Sequence, residues 1–118
     1  MDLKKMIEKV RKSTDPAKVG MITSHLGVVR ATSRNGSEVT GLVVAYDHKT
    51  IQNVINDIKE MPGIAEVLVE TCEGSLAVGD EILAVVVAGD IRENVFPALV
   101  TAVNRIKNEA SRKKENMK

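Results

Sequence analysis

Hydrophobic residues recur at the period of an α-helix in three stretches of the chain. Apolar positions three and four residues apart run through residues 2–12 and again through residues 49–61, and a proline stops each of these stretches. The third stripe runs from residue 95 to residue 106 and is the longest, and Asp90 and Glu93 precede it with the spacing of a capping box. The pattern therefore predicts three amphipathic helices.

Four other stretches have the composition of β-strands. Residues 19–26 and 38–46 are joined through Arg34-Asn35-Gly36-Ser37, and an Asn-Gly pair is typical of a type I′ turn, so these strands are expected to pair as a hairpin or across an irregular loop. Residues 64–72 alternate in polarity, and residues 81–89 form a β-branched run that is apolar on both faces. The last of these is predicted to be a central strand.

The order of these elements predicts the fold class. Helix, strand, strand, helix, strand, strand and helix, with short connections, indicate an α+β protein with a mostly antiparallel sheet and helices packed on it. With 118 residues and 43% hydrophobic content, the chain has room for one domain with a core of its own. We expect a single domain over residues 1–118, in which residues 1–16 form an N-terminal helix and linker and residues 17–115 the main folded unit.

Charge and aromatic content exclude several classes of function. The net charge is only +1, which is not that of a nucleic-acid wrapper or an acidic tail protein. Both ends are basic and the middle is acidic, which leaves weak phosphate or nucleic-acid binding through the ends as a minor possibility. Aromatic residues make up 2% of the chain, too few for the stacking platform of a single-stranded nucleic-acid binder.

The cysteine and histidine content argues against disulfides and metal sites. Cys72 is the only cysteine, which excludes an internal disulfide and fits a reducing compartment, so we expect the cytoplasm. Without a CxxC partner, Cys72 is expected to be a small core residue. His25 and His48 lack acidic or cysteine ligands at metal-binding spacing. The N-terminus is too charged for a signal peptide, and no apolar run reaches the length of a membrane span.

Four cationic residues are candidates for binding an anion. Arg30 follows a strand end, where its guanidinium is either a phosphate ligand or a solvated loop residue. Arg92 lies in the first turn of a helix, where a cation opposes the macrodipole, so it is either a ligand or half of a surface ion pair. Lys107 and Lys114 are seven residues apart, which on a continuous helix puts both amines on one face, in a site or in solvent.

Three blocks of sequence carry a resemblance to a known family. They are Gly27-Val28-Val29-Arg30 after a strand, Gly74-Ser75-Leu76-Ala77-Val78-Gly79-Asp80 before an apolar strand, and Ile91-Arg92 with Lys107 and Lys113-Lys114-Glu115 around the last helix. Together, over about residues 17–115, they resemble the large, catalytic subunit of molybdopterin synthase. This enzyme puts the dithiolene sulfurs into the pterin of the molybdenum and tungsten cofactors.

The resemblance implies a fold, a reaction and a partner. The fold would be α/β-hammerhead-like, and the reaction would move sulfur from a carrier to cyclic pyranopterin monophosphate, with no bound cofactor or metal. The donor would be a small ubiquitin-like sulfur-carrier subunit whose C-terminal Gly-Gly thiocarboxylate threads into this subunit as an extended tail.

The resemblance also implies roles for individual residues. The catalytic residues would be Lys107, as proton donor to the leaving oxygen, and Lys114, which would hold the thiocarboxylate or the substrate. The resemblance leaves open whether Lys113 or Lys114 matches the second lysine of the family. The substrate-binding residues would be Arg30, Arg92, Lys113 and Glu115.

The distance between two of these residues implies a dimer. Arg92 and Lys107 are fifteen residues apart on one helix, or about 22 Å at 1.5 Å per residue, so one chain cannot bring both to one small substrate. A homodimer, and with the carrier a heterotetramer, would resolve this, and the doubly apolar strand also calls for cover on both faces. Because Ile91 and the Thr71-Cys72 pair stand where the family has histidine and His-Arg, the alternative is a diverged, non-catalytic member that acts as a binding module.

Overall fold

The computed structural model describes all 118 residues as an α+β fold of three α-helices and two three-stranded antiparallel sheets. This confirms the predicted fold class. None of the helices is long and apolar enough to cross a membrane. The elements are α1 Leu3–Ser13, β1 Met21–Val28, β2 Val39–Tyr46, α2 His48–Lys59, β3 Ile64–Thr71, β4 Gly74–Ala77, β5 Glu81–Gly89, α3 Arg92–Arg105 and β6 Ser111–Met117, with a 3₁₀ turn at Pro16–Lys18 and a π-helical turn at Ile106–Ala110.

The first sheet has the order β1-β5-β3, with β5 in the centre as predicted. Successive side chains of a strand point to opposite faces, so an apolar strand of this kind needs cover on both sides. Leu83, Val85 and Val87 pack in the larger hydrophobic cluster with residues of α2 and α3. Ala84 and Val86 pack in a smaller cluster against α1.

Helix α1 provides the cover for the second face of β5. The Asp2 carboxylate accepts a hydrogen bond from the Lys5 N–H at 3.2 Å and caps the helix. Met6 and Val10 are buried against the sheet. One chain therefore covers both faces of β5, and the expectation that the doubly apolar strand calls for a second copy was wrong.

The second sheet has the order β4-β2-β6, and the predicted pairing of the first two strands was wrong. β1 pairs with β5, and β2 pairs with β4 and β6, so the two strands belong to different sheets. The loop between them closes on itself around a bridge between Thr32 and Glu38, with backbone hydrogen bonds from the Val39 N–H to the Ala31 carbonyl at 2.8 Å and from the Ser33 N–H to the Ser37 carbonyl at 2.9 Å. Only Gly36 in this loop has a positive φ, of 88°, whereas a type I′ turn requires positive φ at both central residues.

The C-terminal segment is a strand, although the sequence suggested that the last helix continues to Lys114. The chain leaves the helical path at Ala110 and forms β6 against β2. Because β6 is charged and carries no apolar alternation, its sequence gave no strand signal. Gly74–Ala77, predicted as part of a connection, is a short strand that pairs with the other side of β2.

The predicted capping box before α3 does not form. Ile91 occupies the N-cap position, and no side chain caps the helix. The Asp90 carboxylate instead accepts hydrogen bonds from the Ile91 N–H at 2.6 Å and from the Asn94 amide at 2.9 Å. Asp90 therefore stabilises the first turn of α3 from the position before the N-cap, whereas the sequence pattern placed it at the N-cap.

Candidate active site

An open cleft of about 1230 Å³ lies where the ends of β1 and α3 meet the start of β5 and the face of β6. Four cationic side chains and one carboxylate line it together with neutral polar groups and an apolar floor, and we call it the cationic cleft. Such an excess of one charge in a concave surface attracts anionic ligands. The charged residues are Arg30, Arg34, Lys107, Lys113 and Glu115.

The two glycine-containing motifs of the sequence are hydrogen-bonded to each other at the edge of this cleft. The Val29 N–H donates to the Asp80 carbonyl at 2.9 Å, and the Gly79 N–H donates to the Val29 carbonyl at 2.8 Å. A β-bulge between Gly27 and Val28 ends the regular pairing of β1, and bulges of this kind often re-aim side chains near active sites. Val29 is buried, so the chain is fixed immediately before Arg30, which lines the cleft.

Lys107 reaches the cleft from the π-helical turn that follows α3. Ile106 and Ala110, at the ends of this turn, are buried at 0% and 2% exposure. Since both ends of the turn are anchored in the core, the side chain of Lys107 projects from a fixed backbone. π-helical turns are rare and are often found at functional sites.

The surroundings of Lys107 disfavour its ammonium form. Partial burial lowers the pKa of Lys107, and the charges of Lys113, Arg34 and Arg30 lower it further. The amine is thereby shifted toward the range in which a lysine can give up a proton near neutral pH. This is the direction that a proton donor needs.

A guanidinium braces the same turn from its outer side. Arg105 donates from Nε to Glu109 at 2.7 Å, across the turn that holds Lys107. A second nitrogen of Arg105 donates to Asp57 on α2 at 2.7 Å. The turn is therefore tied both to itself and to the neighbouring helix.

Strand β6 presents alternate residues to the cleft, and this corrects the expected position of one lysine. Lys113 lies opposite the buried Val44 of β2 and lines the cleft. Lys114 lies opposite the exposed Val43 and is absent from the lining. The expectation that Lys107 and Lys114 share a helix face was therefore wrong, and the lysine that the structure brings beside Lys107 is Lys113.

Arg92 lies at the far end of α3 from the cationic cleft. Its side chain is 78% exposed, and its Nε donates to Glu93 at 3.1 Å, which is the surface ion pair considered from the sequence. The fifteen residues between Arg92 and Lys107 correspond to about 22 Å along a helix. Within one chain, therefore, Arg30, Lys107, Lys113 and Glu115 come together and Arg92 does not.

The residues that depart from the family pattern lie outside the hydrophobic core. Cys72 is a free thiol, only half-buried, and its N–H donates to the Ile82 carbonyl at 3.0 Å, so the expected core position was wrong. Thr71 is the last residue of β3 and pairs with Leu83. Ile91 is exposed at the start of α3.

Sequence reasoning missed several residues at the site. Arg34 was interpreted as a turn residue, although its spacing of four from Arg30 across one loop was a usable signal. Asn104 and Asn108 also line the cleft. Asn104 is three residues from Lys107 and four from Asn108, a spacing that puts side chains on one helix face and could have identified them. His25 lies on the same face of β1 as Gly27, two residues away, which strand alternation predicts.

His25 has no hydrogen-bond partner at one ring nitrogen. Its Nε2 is buried and unpaired. Burial lowers the pKa of His25, and the charge of Lys107 lowers it further. Both effects favour the neutral form of the imidazole.

A second cavity is smaller and has mixed charge. It measures about 130 Å³ and lies under α1, lined by Asp2, Lys5, Lys9 and Glu70 among others. No group of three or more His, Cys, Asp or Glu side chains is arranged to hold a metal ion. The cationic cleft is therefore the stronger candidate for the active site.

Comparisons with known proteins lead to one family. The model of the family described as MoaE protein matches residues 1–109. Among solved structures, molybdopterin synthase from Staphylococcus aureus has a TM-score of 0.77 and 23% identity, covering 94% of this chain and 84% of that one. Molybdopterin cofactor biosynthesis protein E from Burkholderia multivorans has a TM-score of 0.79 and 22% identity, covering 100% and 82%.

A third solved structure contains two kinds of subunit. It is the protein–protein complex of subunits 1 and 2 of molybdopterin-converting factor from Helicobacter pylori, with a TM-score of 0.72, 16% identity and coverage of 99% of this chain and 80% of that one. At these identities the likeness to solved structures shows the fold. None of the curated proteins matches the sequence.

Proposed function

The chain belongs to the MoaE protein family, the large subunits of molybdopterin synthase, and we propose that sulfur enters the pterin in its cationic cleft. Membership of the family gives the chain the role of the catalytic subunit in molybdopterin biosynthesis. The proposed reaction transfers sulfur from a thiocarboxylated carrier protein to cyclic pyranopterin monophosphate and yields molybdopterin. The single cysteine favours a reducing compartment such as the cytoplasm.

The observation that carries this proposal is the set of cations that converges on one cleft. The substrate is a cyclic phosphate, and sulfur transfer expels oxygen and opens the phosphate ring. This chemistry needs fixed positive charge for the phosphate and a proton donor for the leaving oxygen. Arg30 and Arg34 supply planar guanidinium groups for the phosphate. Lys107, whose pKa is lowered by burial and by neighbouring cations, supplies the proton.

The carrier is proposed to insert its C-terminal tail into the same cleft. Small-ligand pockets measure roughly 300–1000 Å³, so a cleft of about 1230 Å³ has room for the end of an extended peptide beside the pterin. A thiocarboxylate is an anion, and Lys113 faces the cleft as its counter-ion. We therefore assign to Lys113 the role that the family resemblance left open between it and Lys114.

A second copy of the chain is proposed to complete the site. Arg92 cannot reach the cleft of its own chain, and a two-fold dimer would lend Arg92 of the partner subunit to each cleft. Each dimer would then bind two carriers and form a heterotetramer.

The test is a reconstitution with defined components. The chain is mixed with the thiocarboxylated carrier and cyclic pyranopterin monophosphate, and molybdopterin is quantified after oxidation to its fluorescent derivative. A carrier that ends in an ordinary carboxylate is the matched control and should give no product. Binding of the thiocarboxylated carrier without product would refute catalysis and identify the chain as a binding module, the alternative that Ile91, Thr71 and Cys72 raise.

A further inference from the structure

His25 lies beside the proposed proton donor but has no part in the mechanism described above. It lies on the edge strand β1 and pairs with Val85 of the central strand β5, and its side chain lies on the face of β1 that also carries Gly27. A Cβ built on Gly27 would lie 3.3 Å from His25 Nε2, so this nitrogen lies directly against a residue of the cleft lining. Glycine at position 27 leaves the space next to the ring nitrogen open.

The buried nitrogen lacks a partner, and its neighbours determine what that partner can be. A buried polar atom without a hydrogen bond is destabilising, and native structures rarely leave one unexplained. The charge that acts on His25 is that of Lys107, a group that only donates hydrogen bonds. The other cations of the cleft, Arg30, Arg34 and Lys113, also only donate. Toward these cations Nε2 can act only as an acceptor, in an imidazole that carries its proton on Nδ1.

We propose that His25 is a positioning residue for Lys107: the two side chains are not hydrogen-bonded in this structure, and a rotation of the lysine side chain within the cleft brings its ammonium to donate to His25 Nε2 across the space above Gly27. A lysine side chain has several rotatable bonds, and an acceptor at a fixed point of the first sheet would restrict the amine to one direction. This inference deepens the proposed function and rests on it for its catalytic consequence. The contact needs no substrate, so it can be tested in the protein alone.

The first experiment measures the contact in the protein alone. NMR titration of the wild type should give His25 a pKa below the usual value of a histidine, because burial and the charge of Lys107 both lower it. Lys107→Met keeps the burial and removes the charge, so the pKa of His25 should rise. ¹⁵N shifts should identify Nε2 as the unprotonated nitrogen in the wild type. An unchanged His25 pKa, or a proton on Nε2, would overturn the proposal.

The second experiment measures the consequence for catalysis. His25→Phe removes the acceptor, and His25→Gln restores an acceptor oxygen near the position of Nε2. We expect kcat of His25→Phe to fall about ten- to hundredfold, the range of one hydrogen bond to a charged group, with little change in the KM for the carrier. His25→Gln should recover most of the loss, and His48→Gln is the matched control with wild-type activity.

The pH profile separates positioning from a structural effect. Loss of the acceptor destabilises the ammonium, so the pH above which activity falls should move down by about one unit in His25→Phe. The other charged groups that line the cleft with the amine are Lys113, Arg30, Arg34 and the Glu115 carboxylate. They are the same in the wild type and in His25→Phe, so they do not produce the difference between the two pH profiles. An equal loss in the Phe and Gln variants with an unmoved profile would leave only a packing role and refute the proposal. Absence of product with the wild type would refute the proposed function instead, and the NMR titration would still decide the role of His25.

Discussion

The amine of Lys107 lies among other cations, and this environment determines what its substitution should do. Burial and the charges of Lys113, Arg34 and Arg30 disfavour the ammonium, so the folded protein gains no stability from it. Because the pKa of Lys107 is lower in the folded than in the unfolded chain, its ammonium makes folding less favourable. This penalty is full below the folded-state pKa, shrinks as the pH rises above it, and is gone once the pH exceeds the unfolded-state pKa. A residue of this kind is kept for its chemistry.

Lys107→Ala should therefore abolish activity without unfolding the protein. The loss of a positioned proton donor typically lowers a rate by about 10² to 10⁴, whereas the free energy of unfolding should change by less than about 1 kcal/mol. Lys107→Arg should fail as well, since a guanidinium stays protonated at any pH of the assay. Rates with saturating carrier and a denaturant titration measure the two effects. Wild-type turnover in both variants would make Lys107 a solvated lysine.

The adjacent lysines of β6 form a matched pair for the second prediction. Lys113 faces the cationic cleft and Lys114 faces away from it. Lys113→Ala should raise the KM for the thiocarboxylated carrier at least about tenfold, the effect of one charge-assisted hydrogen bond. The same change at Lys114 should leave the KM within about twofold. Carrier titrations at fixed pterin concentration distinguish the two, and a stronger effect at Lys114 would reverse the assignment.

Only some residues of the candidate site could be found from the sequence. The family resemblance implied that Arg30 and Lys107 serve one site, and the structure brings both to the cationic cleft. Lys114 was expected on the same face as Lys107 because the last helix was taken to continue to it, and helical and strand periodicities project different residues to the same side. His25 was considered only as a metal ligand, and its closeness to Lys107 depends on packing between β1 and the end of α3, which no local pattern encodes.

At the scale of elements, the π-helical turn connects α3 to β6 and brings residues of both into one site. It directs Lys107 into the cleft and turns the chain so that Lys113 follows on β6. Arg105, bonded to Glu109 and Asp57, fixes the turn from the outside. The brace is partly exposed, so it contributes more to geometry than to stability.

Arg105→Gln should therefore affect catalysis more than folding. The variant loses the forked contact across the turn, and the amine of Lys107 becomes less well placed, for which we expect a fall in kcat of about tenfold. Thermal unfolding should shift by only a few degrees. Arg11→Gln on α1, an exposed arginine far from the turn, is the control. If Tm and kcat of Arg105→Gln fall together and Arg11→Gln changes neither, the brace is structural only.

Elements that depend on local periodicity were predicted, and those that depend on distant partners were not. All three helices and the central strand carry a continuous apolar pattern, which burial requires. The pairing of β1 with β5 instead of β2 joins segments more than fifty residues apart, and a charged edge strand such as β6 satisfies its backbone against β2 while its side chains remain polar. Neither arrangement leaves a signal within a short window of sequence.

At the scale of the whole molecule, one face of α3 suggests how two copies could share a site. Arg92, Phe96 and Val100 are spaced by four residues and therefore follow one face of the helix. Phe96 and Val100 are 51% and 57% exposed, and exposed apolar residues in a row are typical of protein interfaces. Val100 lies about midway between Arg92 and Lys107. Two α3 helices packed antiparallel across a two-fold axis near Val100 would bring Arg92 of the partner subunit to Lys107.

This arrangement predicts the mass of the protein and the effect of one substitution. The wild type should be a homodimer at micromolar concentration, measured by light scattering or analytical ultracentrifugation. Val100→Asp places two carboxylates at the two-fold axis, where like charges repel, and should give a folded monomer. The same substitution at Val78, which is 43% exposed outside the helix, is the control and should leave the dimer intact. A monomeric wild type would contradict the shared site.

Complementation between two inactive variants gives the strictest test of the shared site. Arg92→Ala and Lys107→Ala should each be inactive as homodimers, because every cleft then lacks one of the two residues. After the variants are mixed and subunits exchange, half of the dimers are mixed, and in each of these one cleft has both intact residues while the other has neither. Activity should therefore recover to about a quarter of the wild-type value, as the symmetry of a two-fold dimer requires. Mixing with Val100→Asp added to both variants is the control and should restore nothing. If exchange is demonstrated by mass spectrometry and no activity returns, Arg92 does not act across the dimer, and each chain must bind the phosphate with its own Arg30 and Arg34.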